Sequence, residues 1–273
     1  MIEKIRNPLT RRAAIIRRLI IDGSASVEAL AKDQDVSVAT VRRDLTVLEE
    51  EGSVQRTHGG AVMSVPREAD QNFAQREQID YDAKRNIARN AAAVVEPNCT
   101  LFMNDGSTQL ALARELVMSQ FALTVATPGV NIATTLSENP SVDTYLAGGL
   151  VRHKTLATSG DFADLMLSSM NADIAFIAAE GFSVNEGLTF SYEADAKIAR
   201  TMHRKATRTI ALITSRKIDK RDRFTAIASN EVDVLITDCQ NEQTLNALRD
   251  MGVLVICARN LEDTNVNSYL ESA

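Results

Sequence analysis

Three observations predict a two-unit α/β chain: an N-terminal winged helix-turn-helix and a larger C-terminal α/β domain with a mostly parallel sheet. Two short, capped, amphipathic helices stand one turn apart near the N-terminus. A glycine pair then separates two short β-rich runs. From Asp82 onward, helical stretches alternate with short β-rich runs. The expected boundaries are 1–62 for the first unit, 63–82 for a polar linker without periodicity, and 83–273 for the second.

Asn7-Pro8 reads as the N-cap and first position of an opening helix, because proline fixes a helical φ where no N–H is needed. This helix runs to about Ile21 and stops at Asp22-Gly23, with Ile15, Ile16, Leu19 and Ile20 on its core face. Ser26 caps a second helix, Val27 to about Asp33, with Val27, Leu30 and Ala31 inward. Gln34-Asp35-Val36 has the length of a helix-turn-helix turn. Ser37 then caps a third helix whose apolar stripe is Val38, Val41, Leu45 and Leu48. Thr40, Arg42 and Arg43 project off that stripe from its first two turns. A short helix with a basic, polar N-terminal end fits the DNA major groove, where an arginine fork takes guanine O6 and N7 or a phosphate. An amphipathic hairpin with two stray arginines is the plainer reading; the agreement of caps, turn length and basic face disfavours it.

The net charge of −6 sits oddly with nucleic acid until it is divided along the chain. Residues 1–62 carry 10 Lys+Arg against 9 Asp+Glu, whereas residues 63–273 carry 20 against 27. Arg6, Arg11, Arg12, Arg17, Arg18, Arg42, Arg43 and Arg56 are candidates for one basic face, and an acidic remainder limits non-specific binding. Gly52 reads as the residue closing the third helix. Residues 53–62 read as a wing, two strands around Gly59-Gly60, with Arg56 and His58 placed for the DNA backbone or minor groove.

The run Val36-Ser37-Val38-Ala39-Thr40-Val41-Arg42-Arg43-Asp44-Leu45, then Leu48-Glu49, Gly52 and Arg56-Thr57-His58-Gly59-Gly60-Ala61, resembles the winged helix-turn-helix of the DeoR family of bacterial transcriptional regulators. The DNA-binding candidates are therefore Ser37, Thr40, Arg42, Arg43, Arg56 and His58.

In the second unit a helix, Asp82 to Val95, leads into a strand at 100–103. Further strands are expected at 122–126, 142–147, 174–178, 209–213, 232–236 and 253–256. Helices are expected at 108–118, 130–136, 161–169, 193–205 and 242–250. Three turns follow strands: Asp105-Gly106-Ser107-Thr108, then Gly148-Gly149 with Arg152, then Glu180-Gly181. Ligands collect at the carboxyl ends of strands in open α/β sheets. There, free N–H groups and hydroxyls favour an anion. A glycine after a strand usually only makes a turn, so the weight rests on all three meeting. Glu193 and Lys197 stand at i and i+4 on one helix, with a surface ion pair as the plainer reading. Lys217 follows another strand; it either reaches the same mouth or is a solvated loop charge.

Residues 75–258 look like the sensor domain that accompanies the DeoR-type wing, which is similar in fold to ribose-5-phosphate isomerase and glucosamine-6-phosphate deaminase. The resemblance implies a phosphorylated sugar or related anionic metabolite as effector, whose binding usually relieves repression. It implies site roles for Gly106, Ser107, Thr108, Thr127, Gly148, Gly149, Arg152, Gly160, Gly181, Gly187, Glu193, Lys197 and Lys217. The chain departs from the family pattern at Asn104, Glu180 and Thr214, where Asp is common, and at Pro128, where Asn is common. These departures leave the identity of the ligand open.

Cys99, Cys239 and Cys257 are widely spaced and share no ligand spacing with His58, His153 and His203, so buried free thiols are expected, with no metal and no cofactor. No apolar run approaches the ~20 residues of a membrane helix and no signal peptide opens the chain, so a cytoplasmic location is expected. The expected partners are double-stranded operator DNA, the effector, and further copies of the chain as a homodimer or homotetramer. A sugar-phosphate isomerase or deaminase with an attached DNA-binding unit is the alternative. Losing carboxylates at two strand ends argues for binding without turnover. An architectural DNA protein is disfavoured because the acidic second unit is the larger part.

Overall fold

The computed structural model describes residues 8–50, 54–57, 59–63 and 73–258. The chain divides into two compact units, residues 1–71 and 72–273.

The first unit is built from α1 (Pro8–Asp22), β1 (Ser24–Ser26), α2 (Val27–Asp33), α3 (Val38–Glu50), β2 (Val54–Thr57) and β3 (Gly60–Met63). Ser26 Oγ accepts from Ala29 N at 3.1 Å, which starts α2 where its sequence predicts. Asp35 takes φ 49°, so the chain reverses between α2 and α3 through a left-handed residue. Ile15, Leu19, Val27, Leu30, Val41, Leu45 and Leu48 form one buried cluster, to which Val54 and Ala61 of the wing add. The side chain of Ile20, and Asn7 and Gly52, fall outside the described residues. The three strands order β1-β3-β2, antiparallel throughout. Gly60 has a reason beyond its turn: a Cβ there would lie 2.1 Å from the Ala25 carbonyl oxygen. Only glycine lets β3 approach β1 so closely.

The second unit opens with α4 (Phe73–Gln78) and α5 (Tyr81–Ala93), followed by β4 (Thr100–Met103), α6 (Ser107–Leu116), β5 (Leu123–Thr127), α7 (Val130–Leu136) and β6 (Val142–Leu146). A hairpin of β7 (Leu150–Arg152) and β8 (Ala157–Ser159) precedes α8 (Asp161–Ser168) and β9 (Ala172–Ile177). Then come β10 (Gly181–Ser183), β11 (Gly187–Phe190), α9 (Glu193–Lys205), β12 (Ala206–Ile213), β13 (Phe224–Ile227), β14 (Val234–Thr237), α10 (Glu242–Asp250) and β15 (Leu254–Cys257). Helix α4 lies within the stretch 63–82 read from sequence as linker, and Phe73 is buried in the core of this unit.

Seven strands form one parallel sheet in the order β15-β14-β12-β9-β4-β5-β6. Strand alternation divides the core into two layers. Phe102 belongs to one layer with Leu167, Ala196 and Leu245, while Leu101 and Met103 belong to the other with Ile87, Leu110 and Ile132. Helices therefore cover both faces, which is why these strands read as continuous apolar runs. A second, antiparallel sheet, β10-β11-β13, stands apart from the main one. Cys239 is buried, but Cys99 and Cys257 are half-buried rather than buried, and all three are free thiols.

Candidate functional site

The DNA-binding candidates lie on α3 and the wing. Ser37 Oγ accepts from Thr40 N at 3.2 Å and lies 2.9 Å from Thr40 Oγ1, so both hydroxyls fix the helix start. Arg42 and Arg43 are exposed, and among the described residues neither guanidinium has a hydrogen-bond or ion-pair partner. Arg56 is also exposed; its Nη1 donates to Thr46 Oγ1 at 3.2 Å and its backbone N to Glu49 Oε1 at 3.1 Å, which fastens the wing to α3. His58 falls outside the described residues.

The broad basic face expected from sequence is narrower in the structure. Arg11 is buried and donates through Nε and Nη2 to Asp44 at 2.5 and 3.1 Å, and Arg12 Nε reaches the same carboxylate at 3.3 Å. Arg18 pairs with Asp22 at 2.8 Å and Asp33 at 3.6 Å. These arginines hold α1 to its neighbours rather than offering bare charge to phosphate. Sequence could not show this, because the partners of Arg11 and Arg12 lie more than thirty positions away on another helix.

In the second unit the three turns follow β4, β6 and β9, all at carboxyl ends of the parallel sheet. Gly106 takes φ 126° and leads into α6 with no side-chain cap, so the first-turn amides of Ser107 and Thr108 face the mouth without a side-chain acceptor. Thr127 is buried and accepts from Gly129 N at 3.0 Å. Gly149, at φ 137°, lies where a Cβ would be 2.5 Å from the Ser159 carbonyl oxygen, so it lets the β7–β8 hairpin close and positions Arg152. Gly148 meets no such neighbour. Gly160 (φ 101°) precedes α8 and Gly187 (φ 70°) opens β11. A Cβ on Gly181 would lie 2.6 Å from the Lys220 carbonyl oxygen.

Arg152 is the centre of this mouth. Its two terminal nitrogens hold both oxygens of Asp195, one at 3.0 Å, and Nη2 lies 4.0 Å from Asp105. Its guanidinium carbon is 5.9 Å from the Tyr192 ring centroid. Burial and the neighbouring Asp105 push the Asp195 carboxyl up to about 6, against the opposing pull of Arg152 and Arg76. For Arg152, burial works against its charge, but Asp195, Asp105 and Glu180 outweigh it and hold its pKa above the ordinary value. Lys217 reaches the same end of the sheet, with Nζ donating to the Ala179 carbonyl at 2.6 Å, directly before Glu180-Gly181.

Asn104 explains one departure from the family pattern. Its Nδ2 donates to the Ala178 carbonyl at 2.8 Å while its Oδ1 accepts from Ala178 N and from Gln109 Nε2. An ionised Asp could not donate to that carbonyl, so asparagine laces β4 to β9 beneath the mouth. At Thr214 the neighbouring strand supplies a carboxylate instead: Asp238 accepts from Ser215 N at 2.6 Å and from Ser215 Oγ at 3.0 Å.

Glu193 and Lys197 do not pair with each other. Glu193 pairs with Arg200, and Lys197 lies 3.1 Å from both Asp161 and Asp164 of α8, because α8 packs directly along α9 and offers nearer carboxylates. The residue sequence reasoning missed is Asp195, between them. Its signal was present: it is a carboxylate in register with the buried stripe Ile198, Ala199 and Met202, where an apolar residue is expected. A small open cavity of about 80 Å³ between α4, α5 and α6 also reaches Ser107 and is lined by both signs of charge, Lys84, Arg85 and Arg114 with Glu77 and Glu115.

A winged helix-turn-helix followed in the chain by a separate α/β sensor unit is the make-up of a ligand-responsive transcription regulator. The model of the DeoR-like helix-turn-helix domain matches residues 11–66, and that of the DeoR C-terminal sensor domain matches residues 79–239. The chain belongs to the DeoR family. It is 32% identical to the HTH-type transcriptional regulator GolR of Listeria innocua, over 91% of this chain and 98% of the relative. It is 29% identical to the lactose phosphotransferase system repressor of Lactococcus lactis, over 86% of this chain and 92% of the relative. Ribose 5-phosphate isomerase A from Methanocaldococcus jannaschii superposes with a TM-score of 0.38 at 14% identity, covering 51% of this chain and 55% of that one.

Proposed function

We propose that the protein represses carbohydrate-catabolism genes and that a phosphorylated sugar or related anionic metabolite controls its hold on operator DNA. The observation that carries this reading is Arg152, held at the strand ends beside the uncapped 105–108 turn, with its charge kept by carboxylates. An incoming phosphate takes donors from that turn and competes with Asp195 for the guanidinium. Gly148, Gly149 and Thr127 shape the approach, and Lys217 and Lys197 add positive charge at its rim. The repressor role is that of the Lactococcus lactis relative, a lactose phosphotransferase system repressor.

The chain binds without turnover in this reading. Glu193 is committed to Arg200 and Asp195 to Arg152, and at position 104 a scaffold-bound asparagine stands where a carboxylate base would otherwise be. The protein acts in the cytoplasm as a homodimer or homotetramer. One winged module buries only ~600–1,000 Å² on DNA, so specific binding calls for at least two copies. The edge strand β6 carries exposed Tyr145 and Leu146, and exposed Leu150, Val151, Phe162 and Leu165 follow it in the chain, an apolar set suited to a second copy.

The test is fluorescence anisotropy on an operator selected from random-sequence DNA by the full-length protein. Addition of ribose 5-phosphate, fructose 6-phosphate and other sugar phosphates shifts the binding curve for at least one of them. A curve that no sugar phosphate moves, or conversion of any of them to product by the protein, overturns the reading.

A further inference from the structure

A second guanidinium stands beside the Arg152–Asp195 pair. It belongs to Arg76 on α4, the first described helix after the wing. Arg76 Nη2 donates to the carbonyl of Lys154, two positions past Arg152, at 3.4 Å, and its guanidinium carbon lies 5.8 Å from the Phe73 ring centroid. Arg76 and Arg152 share two properties. Both favour the ionised form of Asp195. Each also has a buried Nε–H that, among the described residues, finds no acceptor. Buried N–H groups are almost always paired in folded proteins. Two that are not, on two arginines whose charge reaches one carboxylate, are donors left over at this mouth. An oxyanion with several lone pairs supplies what is missing, and guanidinium groups bind one through parallel N–H bonds.

Helix α4 is also tied to α6, at that helix's last turn. Glu77 pairs at 2.6 Å with Arg114 of α6, the helix whose first turn carries Ser107 and Thr108. Lys84 of α5 donates to the carbonyls of Arg76 and Ile79, which holds the end of α4 in place. Arg76 is thus presented from a braced helix.

We propose that Arg76 is a ligand-binding residue of the sensor site, and that an anion shared by Arg76 and Arg152 makes α4 the element that senses occupancy. This rests on the reading of an anion site at the 105–108 turn and Arg152. An anion held by both guanidinium groups links α4 to β7 through itself. Ligand affinity then depends on where α4 stands, and by linkage the ligand biases α4 by the same factor. Since α4 is the segment next in the chain after the winged unit, that bias is available to DNA binding.

The experiment measures binding of inorganic phosphate, ribose 5-phosphate and fructose 6-phosphate to the full-length wild type, Arg152→Gln and Arg76→Gln by titration calorimetry. Circular dichroism of each unliganded variant checks the fold. The expected result is that at least one probe binds wild type and that both variants weaken it by ~10-fold or more. Wild-type affinity in Arg76→Gln, together with loss in Arg152→Gln, overturns the role of Arg76 and leaves the anion site standing. Wild-type affinity in both variants, or no binding of any probe to wild type, overturns the anion site itself. If Arg76→Gln does not fold, Arg76→Lys serves: it keeps the charge but lacks the Nε donor. Undiminished affinity in that variant also overturns the proposal.

Discussion

Arg152 grips both carboxylate oxygens of Asp195 while standing 4.0 Å from Asp105, so one cation answers to two acids in a half-closed mouth. The pairing is not settled in favour of charge. Burial and Asp105 raise the Asp195 carboxyl to about 6, so Asp195 takes up a proton far more readily in the folded chain than in the unfolded one.

A pH dependence of stability follows. Between about pH 4 and 6 the folded state binds a proton at Asp195 that the unfolded state has released, so this group makes stability fall as pH rises through that window. The contribution is fully present below the unfolded value and is lost above about 6. Asp195→Asn removes it. Urea unfolding at a series of pH values is expected to show wild type losing stability relative to Asp195→Asn as pH rises from about 4 to about 6. A constant difference across that window contradicts the assignment.

The Arg11–Asp44 contact leads to a stability prediction for the winged unit. Both side chains are at least nine-tenths buried, and Arg12 shares the same carboxylate. Asp44→Ala leaves Arg11 charged and unpaired inside the unit, and breaking a buried pair in this way costs ~3–5 kcal/mol. Chemical denaturation of the full chain is expected to show the winged unit unfolding early in the variant. A loss below ~1 kcal/mol, the size of an exposed pair, contradicts the burial described.

The wing glycines are not equivalent. Gly60→Ala sets a methyl group 2.1 Å from the Ala25 carbonyl oxygen, whereas a Cβ on Gly59 meets nothing within 4 Å. Gly60→Ala is expected to destabilise the wing by ~1–3 kcal/mol, in the range of an overpacked contact. Gly59→Ala is expected to stay within ~0.5 kcal/mol of wild type, as surface changes usually do. Thermal unfolding of the two variants side by side checks the ranking.

On DNA, Arg42 and Arg43 are the exposed cations of α3 left over after Arg11, Arg12 and Arg18 are paired. If Arg42 reads a guanine, Arg42→Ala is expected to weaken operator binding by ~1–3 kcal/mol and to relax preference at one base pair. A phosphate contact by Arg43 is expected to lower the salt dependence of binding by ~1 ion when removed. Mobility shifts at several salt concentrations separate the two roles, and two variants that bind like wild type contradict both.

Much of this architecture was legible because its signals are local. The caps Ser26 and Ser37 lie beside the helices they start, and α7, α9 and α10 carry enough turns or clear enough flanks to be bounded as observed. The four-residue strands β4, β14 and β15 were legible as buried apolar runs, whereas β7, β8, β10, β11 and β13 lie outside the main sheet and carry no apolar run or alternation long enough to read. Helix α4 reads as linker because its six residues are mostly polar and only Phe73 is buried. The partners of the site were the least legible. That Arg152 meets Asp195, or that Lys197 turns to Asp161 and Asp164, depends on which helix packs beside which, and no spacing in one chain encodes that choice.

A sugar phosphate bound at the 105–108 turn and Arg152 is expected to change the hold on operator DNA. The most direct measurement is anisotropy on the selected operator with full-length wild type and Arg152→Ala, titrated with the sugar phosphate that moves the wild-type curve. Arg152→Ala is expected to bind operator like wild type when no sugar phosphate is present, since Arg152 lies outside the winged unit, and to lose most of the response. Full wild-type response in Arg152→Ala at every effector concentration would contradict it.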